Sequence, residues 1–311
     1  MPIKDQVSSR GPGTIVGEVH SYVGSDIGEA YLIDKTRHHV PLRDLRTINE
    51  APDLKTWGFT YVSGRHVGGI ENLEELSDKN QAALKADSVE LVKKLTGATT
   101  VYALQGGYRY YEPSGSVRSV PIIHSDWTLE GAKWFKTRAR KELLASENPT
   151  EVKFGKYVVE GKDVVIYNVW RPLHTVQDNH LGLCRWDSRL KEDALTSIPK
   201  VTNLKNALQP WRYSEAQKWY YLREQKAEDV FVFMQHDARA PDGHGINVPH
   251  AAFKLEGSQG PDTRKSYEIR VIAFIEPSIK RRLLRLKDRI KSTSPKFKWN
   301  SSRNLEKRKP S

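Results

Sequence analysis

Val120-Pro-Ile-Ile-His-Ser-Asp-Trp-Thr128 is the stretch on which the reading of this chain turns. Side chains along a strand alternate faces with period two, so His124 and Asp126 point the same way from one extended segment. A lone His250 lies 124 residues beyond Asp126 and must arrive on a distant strand. Two imidazoles and one carboxylate on one face of an octahedral ion make the donor set of mononuclear non-haem iron, with positions left open for a cosubstrate and O₂. H-x-D alone is a weak motif, and chance supplies it in many proteins. The competing reading is a hydrogen-bonded His124/Asp126 pair at a strand end. The rest of the chain decides between them.

Outward from this stretch the sequence reads as mainly β with flanking helices. Short β-like runs such as Glu29–Asp34 and Gly58–Val62 lie between turn residues near the N-terminus. Between Leu73 and Thr96 the period changes: Leu84, Val89, Leu91, Val92 and Leu95 suit a helix, and Gly97 is a natural stop. Val101–Leu104 and Val120–His124 read as strands, and Thr128–Ala145 as a second helix. From residue 152 onward the pattern is a series of β-runs: Val164–Trp170, Leu181–Trp186, Lys218–Leu222, Val230–Met234, His250–Phe253 and Ser266–Phe274. Strands at this spacing predict an antiparallel sandwich or barrel. A double-stranded β-helix, the jelly roll of cupin-like proteins, with a metal at one open end fits the order of His124, Asp126 and His250.

At 311 residues the chain is long enough for one large domain with a sizeable core. We expect that domain over residues 1–276, with the jelly-roll core over about 100–276 and β/α elements before it. The net charge of +12 suggests nucleic acid until it is located. Residues 277–311 carry thirteen Lys/Arg against two Asp/Glu, which leaves only about +1 for everything before them. The basicity therefore belongs to an extension. Within it, 277–291 is expected to be a helix with Ile279, Leu283, Leu286 and Ile290 in one stripe, and 292–311 a disordered basic tail. The stripe docks on the barrel or on another subunit, so a homodimer is one arrangement it allows. No apolar stretch is long enough to span a bilayer, and the N-terminus lacks an apolar signal region. A single cysteine, Cys184, excludes an intramolecular disulfide and suits a reducing compartment, with the cytoplasm as the expected location. There is no Gly-rich phosphate loop followed by a helix and no G-x-S-x-G elbow.

Six segments in order carry a family resemblance: LVKKLTGATTVYAL (91–104), VPIIHSDWT (120–128), NVWRPL (168–173), KWYYLREQKAEDVFVFMQHD (218–237), VPHAAF (248–253) and RKSYEIRVIAF (264–274). Together they resemble the fungal asaB-type hydroxylase/desaturase family, which includes the gibberellin desaturases and CmcJ-like proteins. The resemblance runs from about Val40 to Glu276. It implies Fe(II) as metal, 2-oxoglutarate as cosubstrate and O₂ as oxidant, acting on a small molecule of secondary metabolism by hydroxylation, desaturation or oxidative cyclisation. The segment Gln105-Gly-Gly-Tyr-Arg-Tyr-Tyr111 departs from the family pattern and is expected to shape the substrate side of this chain's own pocket.

On that reading His124, Asp126 and His250 are the iron ligands. His236 and His244 compete for the distal position, but His250 sits in the β-run Pro249–Phe253, His244 lies in a Gly/Pro/Asp loop, and His236 ends a strand as a supporting group. No catalytic side chain is expected beyond the metal centre. The distal carboxylate of 2-oxoglutarate needs a cation, and a bidentate guanidinium suits it better than an ammonium. Arg264 lies fourteen residues after His250 and opens an R-x-S pattern with Ser266; Arg270 follows six residues on and competes for the role. Arg171, Asn168, Trp170 and Tyr110 are candidates for the substrate wall. The rival from another class is a catalytically inactive jelly-roll binding protein or scaffold that acts through its basic tail. It would require a lost ligand or a blocked pocket, and all three ligands are present in the sequence.

Overall fold

Period-two burial and helical caps translate directly into elements here. The computed structural model describes residues 14–23, 32–33, 37–110, 120–160, 164–195, 201, 203, 207–256 and 263–275. Its elements in chain order are strands β1 (Thr14–Val19), β2 (Tyr22–Val23), β3 (Leu32–Ile33), β4 (His38–Asp44) and β5 (Phe59–Val62), helix α1 (Asp78–Thr96), strands β6 (Thr100–Arg109) and β7 (His124–Ser125), and helices α2 (Leu129–Leu144) and α3 (Pro149–Glu160). Strands β8 (Val164–Pro172), β9 (His180–Cys184), β10 (Gln209–Pro210), β11 (Trp219–Tyr221), β12 (Val230–Asp237), β13 (His250–Leu255) and β14 (Ser266–Phe274) follow. The helix expected over 277–291, the tail and most of the Glu29–Asp34 run lie outside the described residues.

Two sheets face each other. The larger has the order β1-β4-β11-β9-β13-β7-β10 and the smaller β5-β12-β8-β14-β6. The N-terminal strands β1 and β4 are thus built into the larger sheet. Between the sheets Leu181, Leu183 and Tyr220 of the larger meet Trp170, Phe231 and Phe233 of the smaller. The other face of the larger sheet carries Leu42, Trp219, Tyr221 and Phe253. This is the predicted jelly-roll sandwich, with every residue of β8 buried because both its faces are covered.

Helix α1 covers the outer face of the smaller sheet, setting Leu84, Leu91 and Val92 against Val101, Ile269 and Val271. Its ends are as expected. Ser77 accepts from the Asn80 amide as N-cap, worth about 1 kcal/mol. Gly97 takes φ 65° as the C-terminal stop, a conformation that costs glycine nothing. Helices α2 and α3 close the inner face at one end, where Phe135, Leu143, Phe154 and Val158 pack on Ile166 and Ile272.

Helix α3 is a correction to the expectation of β-runs from residue 152. Its Phe154-Gly-Lys-Tyr-Val158 core looks strand-like in composition, but Asn148 accepts from the Thr150 amide and Pro149 opens the first turn. A proline there loses no hydrogen bond and has its φ already set for the helix. Gly155 lets α3 approach α2, since a Cβ would come within 2.9 Å of the Leu143 side chain.

Two bulges shape the interior. In β12 the register slips by one between Met234 and His236, leaving Gln235 as the extra residue. In β6 one residue is added opposite Arg270, between the Ala103–Val271 and Gly106–Ile269 pairs. Strand β14 stays in unbroken register with β8, so Ser266, Glu268 and Arg270 all face the interior beside Pro172, Trp170 and Asn168.

Candidate metal centre

Strands β7 and β13 are neighbours in the larger sheet, and His124 is the register partner of His250. The two rings lie 4.4 Å apart between centroids. Asp126 follows β7 immediately, and one ligand atom from each of His124, Asp126 and His250 falls within 4.8 Å of the others. All three side chains are buried. Among the described residues this is the one such cluster.

The backbone fixes how the imidazoles present themselves. His124 Nδ1 lies 2.7 Å from the Ile122 carbonyl, and His250 Nδ1 lies 3.1 Å from the Val248 carbonyl. A carbonyl only accepts, so each Nδ1 carries the proton and each Nε2 keeps its lone pair for a metal. Burial holds the His124 imidazole down at about 4, with the neighbouring His250 adding to the effect. Burial alone would raise the Asp126 carboxyl, but the Arg270 guanidinium and the two histidines outweigh it and hold the group at about 2. An anionic Asp126 carboxylate beside two imidazoles that present Nε2 is a donor set that fits Fe(II).

The carboxylate is gripped on one oxygen. Arg270 Nε donates to Asp126 Oδ2 at 2.9 Å, and Asn168 Nδ2 donates to the same oxygen at 3.3 Å. Oδ1 lies 3.6 Å from His250 Nε2, on the side of the imidazoles. The Asp126 amide donates to Oε1 of Gln235, the bulge residue of β12. Bulges re-aim side chains in this way. Behind the motif, Trp211 Nε1 donates to Ser125 Oγ at 2.8 Å, and Ser125 donates to the Asn247 carbonyl at 2.9 Å. The residue between the two ligands is thus a brace on the far face of the strand. Thr128 caps α2 two residues after Asp126, and Gly131 allows the close approach of the Ala207 carbonyl, 2.3 Å from where a Cβ would stand.

The remaining predicted residues separate into two groups. Arg264, Ser266 and Trp170 lie together: Arg264 donates to the carbonyl of Asn179, and its guanidinium stands 5.3 Å from the Trp170 ring centre. Asn179 holds that carbonyl in place with a left-handed φ of 58°, which asparagine tolerates. Ser266 is fully buried, and its Oγ has no hydrogen-bond partner among the described residues. A buried hydroxyl facing the interior without a partner fits a carboxylate acceptor there. Arg270 is on the same face but engages Asp126, which separates the two arginines that the sequence left competing.

Arg171 is a correction. It faces the opposite side of β8, where it donates to the carbonyls of Arg65 and Ala227 and pairs with Asp87 at 2.7 Å. Strand alternation puts it under α1 and away from the ligands. Tyr110 lies just past the end of β6, half-buried. His236 and His244 stay outside the ligand cluster. His236 is wholly buried with Lys136 Nζ 3.0 Å from its Nε2, and His244 Nε2 contacts the Trp127 carbonyl at 3.0 Å.

Comparison with known proteins decides the class. A family model described as an oxidoreductase/YMDC permease-like domain matches residues 18–274. The alpha-ketoglutarate-dependent dioxygenase phiK of a fungal species is 30% identical over 232 residues, covering 70% of this chain and 78% of that protein. The gibberellin cluster GA4 desaturase of Gibberella fujikuroi is 25% identical over 185 residues, 54% of this chain and 53% of its own.

This chain belongs to the fungal Fe(II)/2-oxoglutarate-dependent dioxygenases.

The solved structure of the iron and alpha-ketoglutarate-dependent endoperoxidase NvfI has the same fold as this dioxygenase. The match has a TM-score of 0.64 at 21% identity over 86% of this chain and all of that one. The class uses Fe(II), 2-oxoglutarate and O₂, and the His124, Asp126 and His250 cluster of this dioxygenase has the donors for such a metal. Among the described residues no helix is long and apolar enough to cross a membrane. Sequence reasoning missed the grip of Asn168 and Arg270 on Asp126. It placed both on inward faces, but only the β8/β14 register brings them to one carboxylate.

Proposed function

We propose that His124, Asp126 and His250 hold Fe(II), that Arg264 and Ser266 receive the distal carboxylate of 2-oxoglutarate, and that the pocket oxidises a small secondary metabolite. The observation that carries the reading is the division of labour at Asp126. One oxygen is taken by Arg270 and Asn168, and the other faces two imidazoles whose Nε2 atoms are available.

Bound Fe(II) and 2-oxoglutarate would supply, with O₂, the oxidising power that removes a hydrogen atom from substrate, releasing succinate and CO₂. The protein's own part is positional. Arg270 and Asn168 keep Asp126 anionic and turned; Ile122 and Val248 carbonyls keep both imidazoles in the metal-binding tautomer. Trp170, Phe231 and Phe233 exclude water from the space between the sheets. Hydroxylation, desaturation and cyclisation all begin with the same abstraction, and the substrate's placement selects among them. The reading calls for the cytoplasm, where Fe(II) and 2-oxoglutarate are both available, and for small-molecule partners in place of nucleic acid.

Anaerobic addition of Fe(II) and 2-oxoglutarate tests it by the visible absorption band that forms when a 2-keto acid chelates Fe(II). Wild type should show the band, and His124→Ala, Asp126→Ala and His250→Ala should each lose it. A band that survives His250→Ala but disappears in His236→Ala would overturn the ligand assignment.

A further inference from the structure

The departure of Gln105–Tyr111 from the family pattern has a structural counterpart. Strand β6 pairs with β14 so that Arg109 faces Ser266, Tyr108 faces Tyr267, and Gly107 faces Glu268. Glu268 is flanked on the other side by Trp170. Cross-strand partners share a face, so Glu268, Gly107 and Trp170 all look into the interior.

Glu268 is close to the metal centre. Its Oε1 lies 3.9 Å from Arg270 Nη2, and Arg270 grips Asp126. Arg109 holds the same oxygen with Nε at 3.0 Å and with Nη2. Among the described residues the hydrogen bonds and ion pairs of Glu268 all fall on Oε1, and the side chain is 18% exposed. Among the described residues Oε2 has no hydrogen-bond or ion-pair partner, so this inward-facing residue keeps an acceptor. Beside it the floor is open, because a Cβ placed on Gly107 would meet nothing within 4 Å.

We propose that Glu268 Oε2 receives a hydroxyl group of the substrate over the Gly107 floor, with Arg109 taking an adjacent carbonyl or carboxylate oxygen. The inference rests on the dioxygenase reading above and names the substrate chemistry of that site. Two guanidiniums on the other oxygen of Glu268 disfavour an ammonium, so the donor is a neutral O–H. A charged acceptor within the sandwich discriminates strongly, because a substrate without the donor leaves it desolvated and unpaired.

The probes are small alicyclic alcohols, each beside its own methyl ether, added anaerobically to the enzyme with Fe(II) and 2-oxoglutarate. Binding is read as perturbation of the Fe(II)/2-oxoglutarate absorption band. Wild type should bind an alcohol roughly 10- to 150-fold more tightly than its ether, the range for a hydrogen bond to a charged group. Glu268→Met keeps the size, removes the acceptor and should bring alcohol and ether within about threefold of each other, on the order of a lost neutral preference. Gly107→Leu fills the floor without touching the acceptor and should weaken the alcohol about tenfold or more, by steric exclusion. Both variants should still form the band, which separates a substrate role from a failure to fold. If wild type forms no band, the dioxygenase assignment of this site fails first. If the band forms but no alcohol perturbs it, or alcohol and ether bind alike, or Glu268→Met keeps the preference, the Glu268 proposal is overturned.

Discussion

Arg270 donates from Nε to Oδ2 of Asp126 at 2.9 Å, although both side chains are largely removed from water. The pair is asymmetric in purpose. Asp126 has a second oxygen turned to the imidazoles, whereas the second carboxylate near Arg270, that of Glu268, stands farther off at 3.9 Å. Arg270 thus sets both the charge and the rotation of the carboxylate. Arg270→Ala should weaken Fe(II) binding about 10- to 100-fold, the usual effect of removing a group that orients a ligand. Titration against a competing chelator measures it. An unchanged affinity would mean that Asn168 alone suffices.

Ser266 offers a test in which stability and binding move differently. Its buried Oγ has no partner among the described residues, so Ser266→Ala removes no hydrogen bond described there. Thermal unfolding without 2-oxoglutarate should be unchanged or slightly raised. The Kd for 2-oxoglutarate should rise about 10-fold, as expected for loss of one hydrogen bond to a carboxylate. Arg264→Ala should go further, roughly 30-fold to several thousand-fold, because a carboxylate loses its cation. Equal binding by Ser266→Ala and wild type would place the cosubstrate elsewhere.

Arg171 is expected to matter for folding alone. Its pairing with Asp87 joins β8 to α1, with 3% of one side chain and 10% of the other exposed. Breaking a buried pair from one side costs about 3–5 kcal/mol. Arg171→Met should therefore lower the urea midpoint strongly while leaving the Kd values for Fe(II) and 2-oxoglutarate within about twofold, since no ligand contact is touched. A selective loss of binding without loss of stability would return Arg171 to the pocket.

Acid should destabilise the protein through histidines outside the ligand cluster. Burial pushes His180 down to about 4, with Arg264 among the smaller contributions, and pushes His236 down to about 2, with Lys136 adding to it. Unfolded histidine titrates near 6.5, so below that pH the unfolded chain takes up protons that the folded chain refuses. Their contribution is complete above 6.5 and is lost as pH falls from 6.5 toward about 4 for His180 and about 2 for His236. The loss is about 1.4 kcal/mol per pH unit for each fully shifted group. His236→Gln keeps an acceptor for Lys136 and should flatten the curve by one such increment. Identical slopes for the two proteins between pH 5 and 6.5 would show that His236 is protonated when folded.

What could be read in advance depended on how local each signal was. His124 and Asp126 are two residues apart on a strand, so their shared face follows from alternation alone. His250 was recoverable because it sits in an apolar β-run, whereas His244 stands among turn residues. The distinction between Arg264 and Arg270 was out of reach, since it depends on which inward position lies opposite Asn168. Arg109 and Glu268 were invisible as a pair for the same reason, being joined by a register that includes a bulge. Helix α3 was missed because its aromatic and β-branched residues mimic a strand, while the Asn148-Pro149 start signal is short and easily outweighed.

The ligands come from the larger sheet, but the groups that orient Asp126 come from β8 and β14 of the smaller one. The proposed iron site would therefore act as a clasp across the sandwich. Any breathing motion that parts the sheets, such as one that admits a bulky guest, also pulls the carboxylate from its holders. Guest admission and metal retention share one mechanical coordinate, and a tighter clasp should slow both exchange processes together.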